Sequence, residues 1–239
     1  MFKKYFSFIL ALVMIMTMSV TAFAASPDKT EVEYNEYVQL VKQGVLAEDI
    51  TFEYWKQLKE TSYALEKALE ASDEFTLVYD STDTRGTYST YSLTKGDVFI
   101  TSGTSSAGIL GHAGIAISSD YILHIAGPGY HPTTISLSRW NSNYTTEGWT
   151  KVYRHSDDDV ADQAGQWASD TYEGTDAEYV ISMNLASTDE TYCSKLVWQA
   201  YYYGPEEPCA NGPTWGVRLP YDLPTTIHDL SLEKTYEET

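Results

Sequence analysis

The spacing of apolar residues changes near residue 90, and the change divides the chain into two parts. Over residues 26 to about 75, apolar side chains recur every three or four positions, as on one face of a helix. Asp49 or Thr51 could cap the second of two helices there, because short polar side chains accept hydrogen bonds from helix-start N–H groups. We expect this pair to pack on the rest of the chain rather than to form an independent binding module. The polar, turn-rich residues 80–92 predict a linker.

Beyond Tyr91 the pattern becomes that of β-structure. A turn at Lys95-Gly96-Asp97 precedes the apolar run Val98-Phe99-Ile100, which predicts a short buried strand. Small residues from Thr101 to Gly108 predict a loop. The predicted strands cover residues 98–100, 112–117, 121–126, 149–154 and 178–185.

Two amphipathic helices interrupt these strands. The first begins near Val160 behind the acidic run Asp157-Asp158-Asp159. That run could be a metal site, but capping and the helix dipole explain it better, because carboxylates at a helix start stabilise the free N–H groups. The second covers about residues 189–203 and carries Cys193, and a Pro/Gly-rich coil is predicted to end the chain. Runs of strands mixed with helices indicate the α+β class.

The first 24 residues have the pattern of a secretory signal peptide. Lys3 and Lys4 precede an apolar stretch from Phe8 to Met16, and Ala22-Phe23-Ala24 has the small-x-small form found before a cleavage site. An uncleaved anchor is the alternative interpretation. We therefore predict an exported protein with three parts: a signal peptide at 1–24, a helical extension and linker at 25–84, and a main domain at 85–239.

Strong acidity limits the partners that the chain can bind. The formal net charge is −19, and removing the first 24 residues, which hold two lysines and no acidic residue, makes it −21. Such a chain is repelled by nucleic acid and by anionic membranes. We therefore expect no nucleic-acid partner and no stable membrane association once the signal is cleaved. The sequence indicates no cofactor.

Cys193 and Cys209 are the two cysteines of the chain. In an exported protein they could form a disulfide, but the bridge would join a helix start to a Pro/Gly-rich loop. As a free thiol at a helix start, Cys193 has the position of a nucleophile, and it could equally be a small buried core residue. Capping by Ser187, Thr188 or Asp189 would place it near free N–H groups, which are expected to lower its pKa.

Two histidines come before this cysteine, in a segment that resembles a β-hairpin. A three-residue turn at Ser118 to Asp120 would pair Ile117 with Tyr121 and place His124 opposite Gly114. Because side chains alternate across a strand, His112 and His124 would then share one face as diagonal neighbours about 7 Å apart at the backbone. A turn one residue shorter or longer would separate them. The arrangement predicts a base, His112, oriented by His124.

The sequence Gly111-His112-Ala113-Gly114-Ile115, together with Gly96-Asp97 upstream and Tyr192-Cys193-Ser194-Lys195-Leu196-Val197 downstream, resembles the permuted NlpC/P60 papain-like superfamily. The nearest branch is the YiiX/YebB-like group, which is related to lecithin:retinol acyltransferase-like proteins. Pro220-Tyr221-Asp222-Leu223 fits a motif near the end of such domains. The resemblance covers roughly residues 90–230 and leaves the N-terminal helices outside.

The resemblance implies a circularly permuted papain-like fold, with an antiparallel sheet packed against helices. It also implies that Cys193 is the nucleophile, His112 the base and His124 the orienting residue, with Tyr192 and Gly111 as candidate substrate-binding positions. Together with the export signal, it predicts hydrolysis of an amide bond in a cell-wall peptide. The alternatives are an acyl-ester or lipid-amide hydrolase or acyltransferase, and a secreted binding domain with a structural cysteine. A metal site of His112, His124 and Cys193 would lack further ligands at recognisable spacing, so no metal is expected.

Overall fold

The computed structural model describes residues 29–71 and 91–237 of the 239-residue chain. The predicted signal peptide and most of the predicted linker lie outside these residues. In the described part, no helix is both long enough and apolar enough to span a membrane.

The N-terminal part forms two helices, as the apolar spacing predicts. They are α1, Lys29–Lys42, and α2, Phe52–Ala71. Thr51 caps α2, because its Oγ1 accepts a hydrogen bond from Tyr54 N at 3.3 Å. Asp49 has a different role and accepts from Met183 N at 3.2 Å. Trp55 of α2 is fully buried in the main hydrophobic core, so these helices pack on the rest of the chain.

A six-stranded sheet forms the centre of the protein. Its strands lie in the order β4-β3-β2-β1-β5-β8, and every neighbouring pair is antiparallel. The strands are β1 Val98–Ser106, β2 Ile109–Ala116, β3 Ile122–His124, β4 Thr133–Ile135, β5 Thr150–His155 and β8 Leu230–Tyr236. Two short strands, β6 Glu178–Tyr179 and β7 Glu190–Thr191, pair in parallel beside it. The predicted strand 178–185 is therefore shorter than expected.

The predicted loop at Thr101 to Gly108 is wrong, because β1 continues to Ser106 and β2 begins at Ile109. Only Ala107 and Gly108 form the turn, with φ of 52° and 73°. A register shift between Thr101 and Ser105 interrupts the pairing. Backbone hydrogen bonds to a neighbouring strand hold these small polar residues in a strand that their own propensities do not favour.

Two further regions differ from the sequence-based prediction. The segment between the histidine hairpin and β5 carries a helix, α3, Leu137–Tyr144, that the sequence analysis did not predict. The Pro/Gly-rich end is not coil throughout: a 3₁₀ turn at Pro220–Asp222 and the short α6, Leu223–Thr226, precede β8, which pairs with β5. Buried and exposed side chains alternate only weakly along the edge strand β8. Its pairing with β5, rather than its own residue pattern, therefore stabilises it as a strand.

The two predicted helices of the β-rich part are present. Helix α4, Asp158–Tyr172, is capped by Asp157, whose Oδ1 accepts from Asp159 N at 2.9 Å and Val160 N at 3.3 Å. Helix α5, Cys193–Tyr203, begins at the cysteine itself. The predicted caps Ser187, Thr188 and Asp189 are wrong, because the strand β7 intervenes and Tyr192 occupies the cap position without a side-chain hydrogen bond.

The core consists of two hydrophobic clusters. The larger one contains buried residues of α2, α4 and α5 with those of β1 and β2, and the smaller one contains Phe99, Ile122 and Trp140. The histidine-bearing strands precede the cysteine-bearing helix along the chain, which is the permuted papain-like order. The α+β class and an antiparallel sheet packed with helices are confirmed.

Candidate functional site

The two histidines meet as the three-residue turn predicts. Strand β2 pairs with β3 through Ile115 opposite Leu123, and Ile117 N donates to Tyr121 O at 3.0 Å. This register brings His112 Nε2 to 2.9 Å from His124 Nδ1. Both rings are buried, with exposed fractions of 3% and 2%. The hydrogen bond fixes the orientation of each imidazole.

Helix α3 supplies two aromatic side chains that enclose the histidines. Trp140 stacks on the His112 ring, with centroids 5.4 Å apart and planes 17° apart. The Tyr144 hydroxyl lies 3.4 Å from His124 Nδ1. Neither residue was predicted from the sequence, although the serine cap Ser136, followed by two aromatic residues four positions apart, indicates a helix here.

Burial in this aromatic cage keeps both imidazoles neutral. Loss of hydration, reinforced by the neighbouring His124, holds the pKa of His112 well below its usual 6.5. Burial lowers the pKa of His124 to about 4. At neutral pH the pair therefore carries no charge and can accept a proton.

The lowered pKa of His124 predicts that acid destabilises the fold. The unfolded histidine titrates near 6.5 and the folded one near 4, so His124 favours folding fully above pH 6.5, and this advantage disappears as the pH falls to 4. For this residue alone, the loss in unfolding free energy by pH 4 is about 3 kcal/mol. We expect wild type to lose that much more stability than His124→Gln between pH 7 and 4 in urea unfolding.

The exposed His131→Gln variant is the control for this measurement and should follow the wild-type pH dependence. Equal pH slopes for wild type and His124→Gln would contradict the prediction.

Cys193 occupies the first position of α5 and is 6% exposed. It is a free thiol, and so is Cys209, so the alternative of a disulfide is not found. Its backbone surroundings include Ala113 N–H, next to His112, and the N–H groups of Cys193 and Ser194, which all lower the thiol pKa. The cysteine therefore lies against the strand that carries His112.

The expectation that the helix start lowers the cysteine pKa is wrong for this structure. Burial is the larger effect, and it raises the pKa of Cys193 above its usual 9.0 despite those N–H groups. The resting site thus holds a neutral thiol against the backbone of Ala113, the residue that follows the neutral His112 along β2. A neutral thiol and a neutral imidazole react by transfer of the thiol proton to the base as the sulfur attacks, rather than through a preformed thiolate.

A small, partly open pocket lies at Cys193. Both predicted substrate-binding positions, Gly111 and Tyr192, line it. Most of its other lining residues are apolar: Ile109, Tyr179, Ile181, Val217, Leu219 and Pro220. Gly111 has φ of +88°, and a Cβ there would lie 2.6 Å from Tyr221 Cζ, so a glycine is required. The Tyr221 ring therefore packs on the backbone of Gly111, in the space that a side chain at this position would occupy.

Metal ligands are not clustered in the described residues, where no group of three or more His, Cys, Asp or Glu side chains could hold an ion. The acidic run at Asp157 serves to cap α4, as described above.

Comparison with known proteins supplies the family. The sequence profile of the lipoprotein N-acylation protein LnsA-like family matches residues 65–236. The chain belongs to this family. The resemblance to the YiiX-like branch of permuted papain-like proteins is confirmed by this match. The family and the fold are consistent with a cysteine-type hydrolase or acyltransferase.

An uncharacterized 30.3 kDa protein of Bacillus thuringiensis is 33% identical over 275 residues, covering 98% of this chain and 99% of that protein. The crystal structure of the metalloprotein YiiX from Escherichia coli O157:H7 is 16% identical. It covers 62% of this chain and 100% of its own, with a TM-score of 0.47.

Proposed function

We propose that this protein transfers an acyl group through a thioester at Cys193, and that the acceptor is an amine, as in the N-acylation of a lipoprotein. The observation that carries the proposal is the apolar pocket that opens at the buried Cys193 beside the strand of His112. Apolar pockets bind apolar ligand groups through the hydrophobic effect. The family name, which describes lipoprotein N-acylation, agrees with this choice.

In the first half-reaction, Cys193 Sγ attacks the carbonyl carbon of an acyl ester while its proton passes to His112. In the tautomer in which His112 Nε2–H donates to His124 Nδ1, His112 Nδ1 carries the lone pair that takes that proton. Backbone N–H groups at the start of α5 stabilise the oxyanion. The ester C–O bond then breaks, and the leaving alcohol takes the proton back from His112, which leaves the acyl group on sulfur.

In the second half-reaction an amine nitrogen attacks the thioester carbonyl and the C–S bond breaks. His112 removes a proton from the amine and returns one to the sulfur, so the free thiol is regenerated and an amide is formed. If water replaces the amine, the same steps give hydrolysis. The protein is therefore a transferase if an amine reaches the thioester before water does, and a hydrolase if water reaches it first.

The proposal includes export, since the first 24 residues have the pattern of a signal peptide. A lipoprotein acceptor would be met at a membrane surface. The chain is strongly acidic, so an anionic membrane surface does not attract it. We propose that it binds single lipid and lipoprotein molecules through the pocket instead.

Mass spectrometry after incubation with a phospholipid acyl donor tests the thioester. We expect one acyl mass on Cys193, released by neutral hydroxylamine, in wild type and Cys209→Ser. No such adduct is expected in Cys193→Ala, where activity should fall at least about 10³-fold because the nucleophile is absent. An acyl mass retained in Cys193→Ala would contradict the proposal.

Cleavage of a cell-wall peptide amide is the second candidate, supported by the predicted export and by the same cysteine and histidine pair. The two candidates differ in the acyl donor. Incubation with purified peptidoglycan should release no new amines if the acyl-transfer proposal is right. Release of amines that requires Cys193, without acylation by phospholipid, would favour the peptidase.

A further inference from the structure

One face of α2 carries polar side chains that reach segments lining the pocket. Tyr54 and Ser62 are eight residues apart, two steps of four along the helix, and they therefore lie on the same face. Leu58, between them, is buried in the main core. This face belongs to the N-terminal extension, which lies outside the part of the chain that carries the catalytic motifs.

Ser62 holds the strand next to Gly111. It is fully buried, and its Oγ lies 3.0 Å from both Leu110 N and Leu110 O. The Ser62 hydroxyl thus forms hydrogen bonds with both the backbone N–H and the backbone C=O of Leu110. The neighbours of Leu110 on either side, Ile109 and Gly111, both line the pocket.

Tyr54 holds a second lining segment. Its hydroxyl accepts a hydrogen bond from Val217 N at 3.3 Å. Val217 begins a run of four lining residues that continues to Pro220. The 3₁₀ turn that follows places Tyr221 against Gly111, so the two held segments meet behind the pocket.

We propose that Ser62 and Tyr54 are positioning residues that fix two walls of the acyl-binding pocket and thereby determine how long an acyl chain is accepted. The inference rests on the proposed acyl transfer. Cys193, His112 and His124 make none of these contacts. Displacement of the walls should therefore impair the binding of a long chain while the reacting groups keep their geometry.

The test compares the single-turnover acylation of Cys193 by p-nitrophenyl acetate and p-nitrophenyl octanoate, followed by p-nitrophenol release. In Ser62→Ala we expect octanoyl transfer to slow about tenfold, with acetyl transfer within about twofold of wild type, since only the longer chain needs the full pocket. Tyr54→Phe should change the ratio in the same direction. It keeps the ring and exposes no apolar core, so it remains informative if Ser62→Ala folds poorly.

Two variants control for general effects. Tyr63→Phe removes a hydroxyl from an exposed side chain of the same helix. Tyr172→Phe removes a buried hydroxyl that donates to Gln199, outside the residues that line the pocket. Both should keep the wild-type ratio of octanoyl to acetyl rates.

The outcomes separate the two proposals. Acylation of wild-type Cys193 with an unchanged octanoyl-to-acetyl ratio in Ser62→Ala and Tyr54→Phe would overturn the positioning role alone. An equal slowing of both esters would do the same, because it would indicate a general structural effect. If wild type forms no acyl adduct with either ester, the proposed function fails and this inference fails with it.

Discussion

His112→Gln is expected to lower kcat/KM for acyl transfer about 10²- to 10⁴-fold, the usual contribution of a positioned base. The thiol of Cys193 has a raised pKa and stays protonated at neutral pH, so attack requires a group that takes its proton. His112 is the imidazole on the strand against which Cys193 lies, and burial keeps it in the neutral, proton-accepting form. Glutamine fills similar space but is not a base.

The control for this variant is His155→Gln, which replaces another buried histidine, 4% exposed, that contacts neither Cys193 nor the histidine pair in this structure. Activity is measured per folded molecule, with folding checked by circular dichroism. His155→Gln should retain wild-type activity. A His112→Gln enzyme within tenfold of wild type would show that another group takes the thiol proton.

The pH dependence of the wild-type reaction is part of the same expected result. The neutral His112 is present above its lowered pKa, and the neutral thiol is present below the raised pKa of Cys193. The plateau of kcat/KM should therefore extend from below pH 6.5 to at least pH 9.0. In an enzyme with a preformed thiolate, the profile would instead rise with the titration of a low-pKa cysteine.

Asp97→Asn is expected to lower the free energy of unfolding by about 2–3 kcal/mol, because it removes the charge of a fully buried carboxylate that accepts several hydrogen bonds, including those from the partly exposed Arg154. Asp97 is fully buried, and its two carboxylate oxygens accept from Arg154 Nε at 2.7 Å and Nη2 at 2.9 Å. Tyr91 Oη and Thr94 N each donate to Oδ2 at 2.8 Å. The asparagine cannot accept all four bonds.

Urea unfolding measures this loss, and Asp162→Asn is the matched control. Asp162 is 64% exposed and pairs with Lys95 at 3.2 Å, so its substitution should cost less than about 1 kcal/mol. If the two substitutions have similar costs, the pair of Asp97 and Arg154 is not a major source of stability. Asp97 makes none of the pocket contacts, so the folded fraction of Asp97→Asn should keep its acyl-transfer rate.

This result would also explain the Gly96-Asp97 motif in physical terms. Its carboxylate fixes β5 and the start of β1 through Arg154, and Tyr201 of α5 donates to Gly96 O at 2.7 Å. The motif that helped to indicate the family thus has a structural role that joins the sheet to the cysteine helix.

The sequence was most informative where local geometry decides the outcome. The pairing of His112 with His124 could be predicted because side chains alternate along a strand and the turn length sets the register. The start of α5 at Cys193 could be predicted only to within a few residues, since the residues before it resemble helix caps and instead form β7. Strand β8 was missed because its stability comes from a pairing partner distant in sequence. Helix α3 was missed although its serine cap, Ser136, is a local signal.

By itself, then, the sequence determined the α+β class, the shared face of the two histidines and the place of Cys193 near a helix start. These follow from periods of two and 3.6 residues, which the backbone imposes on any chain. Only the tertiary structure decided the protonation of the site, because burial outweighs the helix start in setting the pKa of Cys193. The tertiary structure also decided that α2 supports the pocket, since Ser62 and Leu110 are 48 residues apart along the chain and meet only when it folds.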